Sequence, residues 1–410
     1  MKPSITNFDT QGGDQRGSIR PMKNNYVRMN TTKQYCWLLL LCTLCACRKG
    51  ADSIVPPTVT PVASGDTGSI KGFFLLNEAN MGSNKASLDY FDYVSGNYLK
   101  NIYPTRNPGV VKELGDVGND IQIYGSRLYA VINVSNLIEV MDLGTAKHIG
   151  TITIPNCRYI TFDKGYAYVS SYAGPVLIDP NARLGYVAKV DTATLTVKDT
   201  CVVGYQPEEL VIRDNKIYVA NSGGYRVPNY DNTVSVIDLN TFKELKKITV
   251  AINLERMRLD GHGNIYVTSR GDYYTIPANT YILDASDKIS DVLNIPASNL
   301  TISGDSAYVY STEWSYVTNK NTITYAIIDT QRKTVVSRSF ITDGTDKKIA
   351  IPYGLAINPD TKEIFVTDAG DYVNPGRVYC FTPDGRRKWD VEAGDIPAHF
   401  AFTRTRLSGL

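Results

Sequence analysis

The sequence predicts an all-β fold, a seven-bladed β-propeller with four-stranded antiparallel blades, on three observations. One unit recurs along the chain: a turn, an alternating strand holding Tyr-Val or its equivalent, a polar loop, then a strand ending in Asp. No stretch shows helical periodicity. The closing acids Asp92, Asp142, Asp191, Asp238, Asp284 and Asp329 stand about 45–50 residues apart, the span of one four-stranded blade. The ends of the array also complement each other. Lys71–Tyr103 supplies three strands without an innermost one, and Ile396–Phe402 has the pattern of that missing strand.

The blades follow in order. After the opening partial unit come GSRLYAVINVSNLIEVMDL, DKGYAYVSSYAGPVLIDP and, most clearly, DNKIYVANSGGYRVPNYDNTVSVIDLNTFKELKKITV (Asp214–Val250). GHGNIYVTSRGDYYTIP, GDSAYVYSTEWSYV and TKEIFVTDAGDYVNPGRVYCF continue the series. Placing both termini in one blade closes the ring and removes open edge strands that would invite aggregation. Alternate residues of each strand face the neighbouring blade, so Tyr129, Tyr168, Tyr218, Tyr266 and Tyr308 are expected in the core.

The propeller is expected over residues 70–403, with a tail at 404–410. Residues 1–46 read as a leader. Tyr35–Ala46 (YCWLLLLCTLCA) follows Arg28 and Lys33 and is shorter than the roughly 20 residues a membrane span needs, as in a secretory signal. Leu44-Cys45-Ala46-Cys47 resembles a bacterial lipobox, which implies lipidation at Cys47. Residues 1–21 are polar and add nothing a signal needs, so Met22 and Met29 stand beside Met1 as alternative initiators. Residues 47–69, rich in Pro, Ser, Thr and Gly, are expected to be a flexible tether.

Charge follows the same division. The whole chain carries 43 Lys+Arg against 41 Asp+Glu. The leader holds six of those bases (Lys2, Arg16, Arg20, Lys23, Arg28, Lys33) and two of the acids (Asp9, Asp14), so the remainder is slightly acidic. A nucleic-acid partner read through a distributed basic face is excluded. Of seven cysteines only Cys157, Cys201 and Cys380 lie beyond the lipobox, widely spaced and odd in number, which argues against a disulfide framework or a metal site. Three histidines (His148, His262, His399) leave little room for histidine-based catalysis, and no GxSxG, HExxH, CxxC or P-loop spacing occurs.

In a propeller, the loops into the innermost strands share a face with those joining second strands to third. Four loops of the latter kind concentrate aromatic and polar residues: Asn221–Tyr230, Arg270–Tyr274, Glu313–Tyr316 and Asp368–Tyr372. Rigid aromatics among adaptable polar groups are the chemistry of binding faces. Nearer the axis stand Asn119-Asp120, Arg158-Tyr159, Glu208-Glu209, Glu255-Arg256, Asn299, Tyr353 and His399. Glu208-Glu209 is a candidate acid–base pair, but successive strand residues point to opposite faces, so one of the two is expected to pack or pair elsewhere.

The opening Leu75-Leu76-Asn77-Glu78-Ala79-Asn80-Met81-Gly82-Ser83-Asn84-Lys85-Ala86 resembles the LNEGxxGxNNA opening of YncE-like surface propellers of Bacteroidetes, a group that includes the BtuG-type cobalamin-binding lipoproteins. The resemblance covers Ser69 to Phe402. It implies an outer-membrane, lipid-anchored, cell-surface binding protein without enzyme activity or catalytic cofactor. Such a protein would capture cobalamin as a ligand and hand it to a TonB-dependent transporter. The expected ligand contacts are Asn77, Tyr225, Arg226, Tyr230, Tyr273, Trp314, Tyr316 and Tyr372. The alternatives are a propeller module for glycan or protein partners, and a lactonase- or lyase-like propeller.

Overall fold

The computed structural model describes residues 56–66, 68–110, 113–315 and 320–409. The leader, Cys47 and Tyr316 lie outside them. Seven antiparallel sheets follow one another, each running from an innermost to an outermost strand. Blade 1 joins the termini: Pro397–Thr403 lies innermost, followed by Gly72–Asn77, Ser87–Asp92 and Asn97–Lys100. Blades 2 to 7 have their innermost strands at Gly118–Tyr124, Cys157–Asp163, Pro207–Arg213, Leu254–Leu259, Asn299–Ser303 and Pro352–Ile357. The seven-bladed ring closed by both chain ends is therefore the fold.

The recurring Asp has a local cause. Each stands at the end of a third strand, and in all but Asp142, which takes the Thr145 hydroxyl, the carboxylate accepts backbone N–H in the turn to the fourth strand. Asp191 takes those of Ala193 and Thr194 (both 2.9 Å), and Asp238 those of Asn240 and Thr241 (3.0 and 2.8 Å). Four residues after the Asp the chain turns left-handed, at Gly96, Ala146, Leu195, Phe242 and Lys333. This is the hairpin in which a type I turn is followed by a left-handed residue.

Between blades the packing is apolar. Tyr129, Tyr168, Tyr218 and Tyr266 are buried, and Tyr308 is half-buried against the blade 6–7 cluster. The joint of blades 1 and 7 is aromatic: the fully buried Phe73 ring lies 5.0 Å from Phe365, 5.3 Å from Phe91 and Phe400, and 5.6 Å from Phe402.

One segment differs from expectation. Thr58–Pro61, inside the stretch read as tether, forms a fifth strand on blade 1, pairing antiparallel with Asn97–Lys100. Its Thr-Val-Thr run has high β propensity, and the unpaired outer edge of that blade offers it partners. In the tail, Arg404 pairs with Asp360 of blade 7 (2.9 Å), Arg406 pairs with Asp92 of blade 1 (2.8 Å) and Leu407 is buried, so the tail bridges the two blades.

Phe73 touches strands from both ends of the chain. Phe73→Ala is expected to cost about 3–5 kcal/mol, read as a lowered denaturation midpoint with circular dichroism on residues 48–410.

Candidate functional site

The innermost strands share an irregularity that places the site. Near the start of six of them the pairing with the second strand slips, at Asn119, Arg158–Tyr159, Glu208–Glu209, Glu255–Arg256, Tyr353–Gly354 and Ala398. Such bulges interrupt the alternation of side chains and re-aim them. A ring of bulges therefore circles the axis just inside one face, called here the top face.

Across blades 3 to 5 the re-aimed side chains form one alternating chain of charges. Arg158 donates through Nε and Nη2 to Glu208 Oε2, both at 3.0 Å. Glu208 Oε1 accepts from Arg270 at 3.0 Å and from the Tyr172 hydroxyl. Arg270 lies 3.6 Å from Glu255, which lies 3.9 Å from Arg256. Arg256 donates to Glu209 and to the Tyr159 hydroxyl, each at 2.9 Å, and Glu209 also pairs with Arg258. Glu208 and Glu209 are both buried and both ion-paired here. The two acids pair with different arginines, Glu208 with Arg158 and Arg270 and Glu209 with Arg256 and Arg258, so they do not act on one point.

These contacts set the charge states. Burial alone would raise the carboxyls of Glu208 and Glu209, but their arginines and hydrogen-bond donors outweigh it and hold both below the usual range. Such carboxylates are poor proton carriers near neutral pH. Burial holds Glu78 above the usual carboxyl value despite the Tyr353 hydroxyl that donates to it. Burial also pushes Asp120 up to about 6. His399 lines an axial cavity of about 260 Å³ below the bulges. Burial and the charges of Arg256, Arg258 and Arg158 keep its imidazole neutral.

Above this floor, blades 5 to 7 enclose a top-face cleft of about 950 Å³. Its walls are Tyr273, Tyr274, Trp314, Tyr310, Tyr353 and Tyr372, and Glu255, Arg256 and Arg270 reach it from below. Tyr353 and Tyr372 meet edge to face, with ring centroids 6.1 Å apart. Gly271 makes the wall possible: at φ +64° a Cβ there would come within 1.9 Å of the Ile276 carbonyl.

Of the expected contacts, Tyr273, Trp314 and Tyr372 line this cleft. Tyr230 is half-buried beside it; burial and the nearby Tyr273 phenol raise its hydroxyl pKa. Tyr225 and Arg226 belong to the adjoining blade 4 loop, where Tyr225 packs 6.3 Å from Tyr172 and Arg226 stacks 3.5 Å above Tyr205. Asn77 is not among the residues that line the cleft. It is fully buried and donates to Ser87 Oγ at 3.0 Å, because it ends a strand covered on both faces. Glu255, Arg256 and Tyr353, which the sequence places near the axis, and Arg270, which opens an aromatic loop, also line the cleft, although none of them was among the expected contacts. The signal for the first three was a charged or phenolic residue where an innermost strand begins, and for Arg270 a charged residue directly after a second strand.

Fold and site together define a propeller with a ligand-sized cleft on its top face, and no catalytic family is indicated. The chain belongs to the family described as a domain of unknown function, DUF5074, which it matches over residues 71–381. A search of curated proteins finds no match. Among solved structures it is similar to a quinonprotein alcohol dehydrogenase-like protein of Bacteroides thetaiotaomicron, at 15% identity and a TM-score of 0.53 over 82% of this chain and 78% of that one. It is also similar to Kuenenia stuttgartiensis hydrazine synthase (18%, TM-score 0.52, 65% and 77%) and to the computationally designed Ika8 protein (10%, 0.50, 82% and 92%). At such identities the likeness is one of fold.

Glu208 is the central acid of the charge chain. Glu208→Gln leaves Arg158 and Arg270 short of countercharge and is expected to cost about 3–5 kcal/mol at neutral pH. Because folding lowers the Glu208 pKa, the stabilisation is complete above the unfolded glutamate value of about 4.3 and disappears as pH falls through the lower folded value. Urea melts of both proteins at pH 7 and at lower pH should show the gap narrowing only below that point.

Proposed function

We propose that this chain is a lipid-anchored binding protein of the outer membrane that captures a corrinoid in the top-face cleft and passes it to a TonB-dependent transporter. The observation that carries the reading is the cleft: about 950 Å³, walled by Tyr273, Tyr274, Trp314, Tyr353 and Tyr372 above a polar floor. A corrin is broad and semi-rigid with amide groups at its edge. It matches a concavity that offers flat aromatic area and a few converging polar groups. Affinity would come from many preorganised contacts, since the ion-paired floor moves little on binding. The LNEAN opening and the Cys47 lipobox support the same reading from the sequence.

A glycan ligand is the second reading, favoured by one feature. Tyr274 is 80% exposed and Trp314 52% exposed, which makes the cleft mouth a stacking platform for sugar rings.

Calorimetric titration of residues 48–410 with cyanocobalamin is expected to give saturable 1:1 binding, and no heat at micromolar ligand would remove the corrinoid reading. Trp314→Ala should weaken binding about tenfold or more, the loss of a large aromatic anchor. Parallel titration with soluble polysaccharides tests the second reading. Anchoring is checked separately: Cys47→Ala should move the protein from the membrane fraction to the soluble fraction and abolish palmitate labelling.

A further inference from the structure

The polar floor of the cleft is incompletely paired. Glu255 has an 85% buried side chain, yet its carboxylate lies 3.6 Å from Arg270 and 3.9 Å from Arg256, beyond direct hydrogen-bonding distance. Among the described residues no donor reaches it. The Nε–H groups of Arg256 and Arg270 likewise have no acceptor there, and the hydroxyls of Ser311 and Thr312, which line the same cleft, are unpaired too. Buried polar groups are nearly always hydrogen-bonded, so the unpaired Arg256, Arg270, Ser311 and Thr312 atoms, gathered beside Glu255 in one cleft, call for a polar partner there. Elsewhere in the charge chain pairing is tight: Glu208 and Glu209 each accept several hydrogen bonds.

The unpaired set has mixed character. Glu255 needs a donor, while Arg256 and Arg270 need acceptors. Glu255, Arg256, Arg270 and Glu313 are the charged residues lining the cleft, two of each sign, so the floor favours neither a cation nor an anion. It suits a neutral group that donates and accepts side by side. A carboxylate in that place would meet Glu255 as a like charge, and an ammonium would meet the two guanidinium groups.

We propose that the floor reads a primary carboxamide of the ligand, whose N–H donates to Glu255 while its carbonyl accepts from Arg270 or Arg256. This rests on the corrinoid reading above and names the group by which such a ligand is oriented. Glu255 is then a specificity residue: it ranks ligands by what they carry at one edge, while the aromatic walls supply area.

The test uses purified residues 48–410, calorimetry, and cyanocobalamin beside its monocarboxylic acid isomers, in which single peripheral carboxamides are hydrolysed. One isomer is expected to bind the unmodified protein at least about tenfold more weakly than cyanocobalamin, and Glu255→Gln to restore that isomer selectively. Glu255→Gln should itself weaken cyanocobalamin several-fold, and a melting curve taken beside the titration checks that the variant is folded at the titration temperature. Dicyanocobinamide, which keeps the carboxamides but lacks the nucleotide ribose, should show the same dependence on Glu255. If every isomer binds like cyanocobalamin, or the loss persists in Glu255→Gln, the proposal is overturned. A Glu255 effect on cyanocobalamin that vanishes with dicyanocobinamide also overturns it, assigning the floor to ribose hydroxyls. Failure of cyanocobalamin itself to bind the unmodified protein removes the corrinoid reading and this inference with it.

Discussion

Ring closure is the constraint on which the rest of the molecule depends. The C-terminal strand Pro397–Thr403 must pair with Gly72–Asn77 before blade 1 exists. Only then do the Phe73, Phe365, Phe400 and Phe402 rings pack together. Closure also brings distant residues to the axis: the Tyr353 hydroxyl reaches Glu78 across 275 residues of chain, and Arg256 reaches Tyr159 across 97. An open ring would leave each pair without a partner.

The axis then uses a second device, the bulge. Regular strands would send alternate residues toward the two neighbouring blades, with few aimed at the centre. Slipped pairing near the start of six innermost strands lets consecutive charged residues converge. The resulting chain from Arg158 to Arg258 holds four guanidinium groups against three carboxylates, across three blades. Buried pairs of this kind are weak evidence for stability, since desolvation offsets much of their attraction. Their effect here is positional. Each charge is costly to move, so the floor beneath the aromatic walls is stiff, and Glu255 is its one loosely held carboxylate.

The fold was legible because each of its rules is local. An Asp that caps a turn, a left-handed residue four positions later, and a strand of alternating burial all depend on neighbours within one blade, so they recur from copy to copy, the Asp and its left-handed residue in five of the seven. The site was legible only in part. Tyr273, Trp314 and Tyr372 stood out as aromatics in loops, and they line the cleft. Asn77 misled because a polar residue in a distinctive opening reads as functional, whereas its amide holds Ser87 inside blade 1. For Glu208-Glu209 the sequence could say only that the two take different partners; which arginines they meet depends on a bulge that leaves no clear mark in the residues themselves.

The sequence by itself determined the repeat, the blade count, the face that carries the aromatic loops and the pairing of the chain ends. Those features follow from hydrophobic period and turn chemistry over spans shorter than a blade. Only the tertiary structure decided which loops share a cleft, that the axial acids are ion-paired, and that Glu255 is left without a donor among the described residues. The physical reason is that these facts depend on distances between blades. Such distances arise when the ring closes and the bulges turn side chains inward, and no stretch of local sequence contains them.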